Sequence, residues 1–107
     1  MRIMRIIVMF DLPTASKEEK KKYALFRKFL LNDGYQMSQY SVYTRIALSR
    51  DNMESHIKRL QDHVPDVGEV TVLALTEKQY ASRKILVNTK KPNPSEERVG
   101  EQLTLFF

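Results

Sequence analysis

Asp11 has the clearest position for chemistry in this sequence. It closes the apolar run of the segment VMFDLP, and Pro13 follows two residues later. An aspartate at such a place either closes a turn or caps a helix, or it holds a hard cation such as Mg²⁺, which prefers oxygen ligands. Ser16 is already placed to cap the following helix, so Asp11 is not needed as a cap, but the turn and metal explanations both stay open.

A single carboxylate is a poor Mg²⁺ site, because proteins usually bind this ion through one or two carboxylates together with substrate phosphate. Glu18 and Glu19 belong to the start of a helix, and the sequence contains no D-x-D pattern. Pairing of two chains about a twofold axis near Asp11 would supply a second carboxylate. The metal hypothesis therefore predicts a homodimer.

Histidine and cysteine are poor candidates for metal ligands in this sequence. His56 and His63 are seven residues apart on a predicted helix, whereas helical metal ligands are usually three or four residues apart. We interpret both as surface or capping residues. The chain has no cysteine, which excludes disulfides and thiolate metal sites.

The charge pattern favours a polyanionic partner. The 18 Lys and Arg residues outnumber the 13 Asp and Glu, for a net charge of +5, and the residues from 89 onward are balanced. A compact basic domain is typical of nucleic-acid binding, whereas the simpler explanation of a cationic helix face is that it is solvated. The cations on the outer arc of the first predicted helix are Lys17, Lys20, Lys21, Arg27 and Lys28.

Hydrophobic periodicity and capping signals predict the elements that position these residues. The run IMRIIVMF predicts a central strand buried on both faces. Ser16 and Glu19 have the spacing of a capping box, so a helix should begin at Lys17 and end near Asp33-Gly34. Its inward arc should hold Tyr23, Leu25, Phe26, Phe29 and Leu30. The other predicted elements are a short strand at 35–37 with a turn near Ser38-Gln39, a strand at 40–46, a helix from Ser49 or Asp51 to about His63, and strands at 68–76 and 83–88.

This order is β-α-β-β-α-β followed by one further strand. Two helices on one face of an antiparallel sheet form an α+β, ferredoxin-like domain. We predict that the domain covers residues 1–89 and that residues 90–107, rich in proline, charged and small polar residues, form a flexible tail. No apolar run is long enough to span a bilayer, so we expect a cytoplasmic protein without membrane contact.

Strand residues supply further candidates for nucleic-acid contact. Three tyrosines, Tyr35, Tyr40 and Tyr43, can stack on bases, or they can pack in the core or a dimer seam, which is commoner for tyrosines on such strands. Phosphate contact is the hypothesis for the strand cations, and such contacts carry no sequence information. These cations are Arg45, Arg83 and Lys84.

Residues 1 to about 90 resemble the small ferredoxin-like subunit of the CRISPR spacer-acquisition machinery, CRISPR-associated protein two, of the kind that accompanies single-effector systems. The similarity rests on Phe10-Asp11 at the end of the first strand, on the basic helix with YALFRKFLLNDGY, and on QYSVYTR at 39–45. Gly34 followed by QYSVY is its most specific part.

The resemblance implies a homodimer in which the extra C-terminal strand, here residues 84–88, is exchanged between the subunits. It implies a role in antiviral defence as a scaffold that bridges two dimers of the integrase subunit and holds double-stranded DNA, the prespacer, for insertion. Some members are described as Mg²⁺-dependent endonucleases on RNA or double-stranded DNA, with the aspartate at the position of Asp11 as metal ligand and catalytic residue. No general base accompanies Asp11, so we expect scaffolding to be the main function and hydrolysis the alternative.

The chain ends in QLTLFF, an apolar tip whose contact residues we predict to be Leu103, Leu105 and Phe106. The integrase subunit, the dimer itself and the bacterial sliding clamp are the possible receivers, the last because residues 102–106 resemble the pentapeptide by which proteins engage that clamp. An RNA-binding regulator of the same fold is disfavoured, since such sheets present aromatics within a glycine-rich strand motif.

Overall fold

The computed structural model describes residues 2–88, which form four strands and three helices. The order β-α-β-β-α-β predicted from the sequence is confirmed, and a short helix follows it. In chain order the elements are β1 (Met4–Asp11), α1 (Lys17–Asn32), β2 (Gln36–Gln39), β3 (Val42–Ala47), α2 (Arg50–Gln61), β4 (Glu69–Thr76) and α3 (Glu77–Ala81). Within residues 2–88, no helix is long and apolar enough to cross a membrane.

The strands form one antiparallel sheet in the order β2-β3-β1-β4, so β1 is an interior strand as predicted. In the middle of β1, Ile6 lies opposite Arg45 of β3 and Ala74 of β4. Both long helices cover the same face of this sheet, which is the ferredoxin-like arrangement. We call the other face the open face; it consists of Arg5, Ile7, Met9 and Asp11 of β1, Val42, Thr44 and Ile46 of β3, and Glu69, Thr71, Leu73 and Leu75 of β4.

The core lies between the sheet and the two long helices. Phe10 is its aromatic centre, since its ring packs edge-on against Phe26 with centroids 5.2 Å apart and stacks on Tyr43 at 5.6 Å. Burying one large apolar side chain stabilises the fold by about 1.5–3 kcal/mol. The side chains that β1 buries are Met4, Ile6, Val8 and Phe10, while its other face is only half-buried. The prediction that both faces of this strand are buried is therefore wrong for the single chain, because helices cover only one face of the sheet.

Helix α1 begins as the capping box predicts. The Glu19 N–H donates to Ser16 Oγ at 3.1 Å, and the Ser16 N–H donates to Glu19 Oε1 at 3.0 Å. Its inward stripe is centred on Phe26 and Leu30, both buried. Leu25 is 57% exposed, so its predicted place in the core is wrong. Since Leu25 precedes Phe26 by one residue, it is rotated about 100° from the centre of that stripe.

The hairpin between α1 and α2 differs from its prediction in register. Strand β2 extends to Gln39, so the turn expected at Ser38-Gln39 lies instead at Tyr40-Ser41. Ser41 has a φ of 64°, in the left-handed region that side chains rarely adopt. The turn carries no glycine or asparagine, the usual signal for such a conformation, which explains the misplaced prediction.

Residues 82–88 form neither helix nor strand, so the strand predicted at 83–88 is not formed within one chain. The segment before it, expected to be a connection, is α3, which a capping box of Thr76 and Gln79 begins. Ile85, Leu86 and Val87 are all exposed, Leu86 to 87%. A strand needs a partner for its backbone groups, so strand exchange with a second copy stays a prediction. The predicted tail and its contact residues lie outside the described residues.

Candidate functional site

Asp11 is the last residue of β1 and its side chain is exposed, on the open face. Directly opposite it on β4 is Glu69, also exposed. Cross-strand partners have Cβ atoms about 4.5–5.5 Å apart, and two like charges at that distance repel each other. Within residues 2–88 neither carboxylate forms an ion pair.

Two turns hold the end of β1 in place. The Phe10 N–H donates to the Ser41 carbonyl at 3.1 Å, which ties the strand to the β2–β3 turn. On the other side, Gly68 has a φ of 82°, and a Cβ at this position would lie 2.7 Å from the Asp11 carbonyl oxygen. Leu12 is buried immediately after the strand. The backbone of Asp11 is therefore fixed by packing on both sides, while its carboxylate faces solvent.

The chemistry of these donors fits a hard divalent cation. Described residues contain no group of three or more His, Cys, Asp or Glu that could hold a metal ion. Asp11 and Glu69 of one chain supply carboxylate oxygens from two rigid strands, which is the number that a Mg²⁺ site completed by substrate phosphate requires. Sequence reasoning missed Glu69, because the pairing of β1 with β4 joins residues far apart in the chain.

Four of the five cations predicted on α1 are exposed and form no ion pair among the described residues: Lys17, Lys20, Lys21 and Lys28. Lys22 of the same helix is instead neutralised by Asp66, with Nζ 2.8 Å from Oδ1, and this contact raises its pKa. Glu19 is engaged in the capping box, and its hydrogen bonds there lower its pKa. The outer face of α1 is thus left cationic.

The fifth cation of that prediction, Arg27, has a structural contact. Its Nε donates to the hydroxyl of Tyr43 at 2.9 Å, across the edge of the core. Tyr43 itself is buried, and burial raises its pKa while Arg27 opposes that rise. Because the Arg27 side chain is still exposed, phosphate contact remains a prediction for it.

Arg45 is engaged with the protein's own backbone. Its guanidinium donates to the Asp33 carbonyl and, through Nε, to the Ile46 carbonyl, and it lies against Gly34. The side chain is half-buried beside the ring of Tyr35. It is therefore separate from the cations on the outer face of α1 and fixes the end of that helix to β3.

Arg83 and Lys84 are exposed but lie at the other end of the sheet from Asp11, because they follow α3, which begins where β4 pairs with the start of β1. The Arg83 guanidinium lies 3.9 Å from the centroid of the Tyr80 ring, and that of Arg5 lies 4.3 Å from it. Arg5 also forms a two-pronged ion pair with Glu77, with N–O distances of 2.9 and 2.7 Å. This cluster packs α3 and Arg83 against the start of β1.

The tyrosines divide between core and surface. Tyr35 and Tyr43 are buried, Tyr35 to 2% exposure, in agreement with the core interpretation. Tyr40, in the turn, is 65% exposed and belongs to the surface. Burial raises the pKa of Tyr35 to about 12. The stacking hypothesis therefore survives for Tyr40 alone.

The histidines do not approach a metal site. Nδ1 of His56 lies 2.7 Å from a guanidinium nitrogen of Arg59, which can only donate, so His56 is the acceptor. Contrary to the surface interpretation, His56 is buried, and burial together with Arg45 and Arg59 lowers its pKa. His63 is exposed and its ring stacks on Phe29 with centroids 4.0 Å apart.

The fold and the strand-end carboxylate define a ferredoxin-like protein with a basic helix and an acidic strand tip. The family model described as CRISPR associated protein Cas2 matches residues 4–83. The chain therefore belongs to the Cas2 family of CRISPR-associated proteins, as the resemblance predicted.

Individual comparisons agree with this assignment. A protein of Acidovorax ebreus named CRISPR-associated endoribonuclease Cas2 is 48% identical over 104 residues, covering 96% of this chain and 100% of that protein. One of Parvibaculum lavamentivorans with the same name is 47% identical over 103 residues, covering 96% and 100%. A solved structure titled "Crystal structure of cas2" matches with a TM-score of 0.51 at 17% identity, covering 86% of this chain and 93% of that one, which supports the fold.

Proposed function

We propose that two copies of this chain form a homodimer by packing their open faces together. Apolar side chains dominate the middle of this face, and Ile46 and Leu73 are exposed in the single chain. Exposed apolar patches of this kind mark interaction surfaces. The exposed segment Ile85-Leu86-Val87 and the free edge of β4 together support exchange of residues 84–88 as an added strand.

The dimer acts in CRISPR adaptation as a scaffold that binds double-stranded DNA and bridges dimers of the integrase subunit. The observation that carries the DNA-binding part is a row of exposed lysines on α1 that form no ion pair within residues 2–88: Lys17, Lys20, Lys21 and Lys28. Because α1 covers the opposite side of the sheet from the open face, dimerisation leaves these cations free to contact phosphates. Contacts of this kind give sequence-tolerant, salt-sensitive binding.

Replacement of Lys20, Lys21 and Lys28 by alanine tests this proposal. We expect the affinity for a blunt DNA duplex to fall and the slope of log K against log salt to decrease by about one per lysine. The matched control replaces Arg50, Lys58 and Lys78, which are exposed on other elements, and removes the same charge. Equal losses of DNA affinity in the two variants would mean that only the net charge matters. They would exclude α1 as the DNA-binding surface.

Bridging is tested separately by sedimentation of the wild-type protein with the integrase subunit, with and without duplex DNA. We expect a complex that contains one dimer of this chain and two integrase dimers. We propose that the tail, through Leu103, Leu105 and Phe106, contributes to this contact. Replacement of Leu105 and Phe106 by alanine would then weaken the complex with the integrase subunit without affecting the dimer. If the same variant lost only its binding to the sliding clamp, the tail would be assigned to the clamp.

A second candidate function is Mg²⁺-dependent hydrolysis of phosphodiester bonds in RNA or double-stranded DNA. The pairing of Asp11 with Glu69 favours it, and the relatives named as endoribonucleases agree with it. Bound Mg²⁺ would polarise a phosphate and lower the pKa of a water molecule. The residues of this chain would hold the ion through the carboxylates of two paired strand positions, and a twofold partner would contribute its own pair.

Asp11→Asn separates the two functions. We expect this variant to lose any nuclease activity that depends on Mg²⁺ and to retain duplex binding and spacer acquisition, because the Asp11 side chain is on the open face and α1 covers the other face of the sheet. Glu69→Gln removes the opposite carboxylate, so it should also lower the Mg²⁺-dependent nuclease activity. Undiminished hydrolysis by Asp11→Asn would exclude Asp11 as the metal ligand, and loss of acquisition would show that scaffolding needs this carboxylate.

A further inference from the structure

Tyr40 is an aromatic side chain that the fold presents to solvent. Tyr40 is 65% exposed, whereas the two other tyrosines of the same hairpin region, Tyr35 and Tyr43, are buried. It occupies the first position of the two-residue turn between β2 and β3. Burial in the core therefore does not account for an aromatic residue here.

The turn that carries Tyr40 contains a residue in an unfavourable backbone conformation. Ser41, the next residue, has a φ of 64°, and its carbonyl accepts the Phe10 N–H at 3.1 Å. Tyr23 of α1 packs at the same strand end, with its ring edge-on to that of Phe10 and the two centroids 6.0 Å apart. A strained residue that persists in a rigid turn is a feature that functional surfaces often carry.

Phe10 connects the turn to a cationic ridge of α1. Its N–H donates to the Ser41 carbonyl, its ring packs against Tyr23 of α1, and it stacks on Tyr43, whose hydroxyl accepts from Arg27. Lys20, Tyr23 and Arg27 are spaced three and four residues apart, so they lie on one ridge of α1 next to the turn. Proteins that bind single strands combine an aromatic ring for a base with cations for the backbone in this way.

We propose that Tyr40 stacks on an unpaired nucleobase of a single-stranded RNA or DNA segment whose backbone follows the Lys20–Arg27 ridge of α1. The position of the turn adds a consequence, because Phe10, which Ser41 binds, is adjacent to Asp11. The stacked nucleotide would lie next to the strand tip where phosphodiester cleavage is proposed. This inference rests on the proposed nucleic-acid binding and adds the base-recognising residue that the cationic surface lacks.

The test measures the binding of a single-stranded oligonucleotide and of a blunt duplex with the same sequence. Both are made as RNA and as DNA, and each contains one 2-aminopurine as a stacking probe. Tyr40→Ala should weaken single-strand binding by about 5- to 150-fold and relieve the quenching of the probe, with duplex binding unchanged. Tyr40→Phe should stay within about twofold of the wild type. Tyr40→Leu, which remains apolar but cannot stack, should behave like Tyr40→Ala.

Met37→Ala is the matched control, because it shortens another exposed side chain of the same hairpin. Unchanged single-strand binding by Tyr40→Leu would overturn the proposal, and so would an equal loss in Tyr40→Phe. A monomeric Tyr40→Ala variant in sedimentation would overturn it too and assign Tyr40 to the dimer seam. If the wild type binds neither nucleic acid, the proposed function fails as a whole, whereas duplex binding without single-strand binding refutes the stacking site alone.

Discussion

Replacement of Gly68 by alanine tests whether backbone packing positions the Asp11 tip. The φ of 82° at Gly68 is strained for any residue with a Cβ, which costs about 1–2 kcal/mol. The new Cβ would also lie 2.7 Å from both the Asp11 carbonyl oxygen and Leu12 Cδ2, and 3.1 Å from Leu12 Cα. Overpacking of this kind typically costs a further 1–3 kcal/mol. We therefore expect a loss of about 2–5 kcal/mol in the free energy of unfolding.

Gly34→Ala is the matched control. Its φ of 96° imposes a similar conformational strain, but the atoms nearest to the new Cβ belong to the flexible end of the Arg45 side chain, at 3.0 Å and beyond. We expect this variant to lose only about 1–2 kcal/mol. In a domain of this size 1 kcal/mol corresponds to about 4–8 °C in Tm, so calorimetry at one protein concentration should resolve the two variants.

The two glycine variants should also differ in function. Gly68→Ala displaces the backbone of Asp11 or Leu12, so any Mg²⁺-dependent hydrolysis should fall at a temperature where the variant is fully folded. Gly34→Ala, at the far side of the core from that strand end, should retain the wild-type rate. Equal destabilisation of the two variants would refute the packing argument, and so would full activity in Gly68→Ala.

Three further predictions concern the core, the pH dependence and the dimer. The Tyr35 hydroxyl is buried without a hydrogen-bond partner within the described residues, so Tyr35→Phe should leave the free energy of unfolding unchanged or raise it by up to about 1 kcal/mol in denaturant titrations; a loss above that size would reveal a bonded hydroxyl. The pKa of His56 is lower in the folded chain than the ordinary histidine value of 6.5. At a pH below 6.5 the unfolded chain therefore binds more protons at this position than the folded chain does. Stability should therefore decrease as the pH falls below that value, by at most about 1.4 kcal/mol per pH unit, and His56→Gln should flatten this slope; a slope identical to that of the wild type would exclude His56. Leu73→Asp puts a charge in the middle of the open face and should give a folded monomer in sedimentation, so a stable dimer of this variant would refute pairing through that face.

Local signals in the sequence sufficed for most of the fold. Ser16 and Glu19 specify the start of α1 through two hydrogen bonds within four residues, and such contacts depend on nothing distant. Leu25 was misplaced because a helical wheel gives relative angles and not the width of the surface that the sheet covers. The Tyr40-Ser41 turn was missed because its left-handed residue is a serine, which a tertiary hydrogen bond to Phe10 keeps in place.

The candidate site was only half visible in the sequence, for a related reason. Asp11 could be identified from its neighbours, because the end of an apolar strand and a proline lie within two residues of it. Glu69 could not, because its position opposite Asp11 follows from the register of β1 with β4, which connects residues 58 positions apart. Such a register is set by the complete core, and no local pattern reports it.

The separation of surfaces by the sheet gives these residues their functional meaning. The α1 lysines face away from the sheet on one side, whereas the apolar open face lies on the other, with Asp11 and Glu69 at its margin. Assembly can therefore bury the middle of the open face while the acidic tips stay at its rim, where a twofold partner would bring a second pair of carboxylates. DNA held by α1 and an ion held at the strand tips would then depend on different residues of one small domain. This independence explains how a scaffold could lose hydrolysis without losing its DNA, and the single substitution Asp11→Asn is sufficient to measure it.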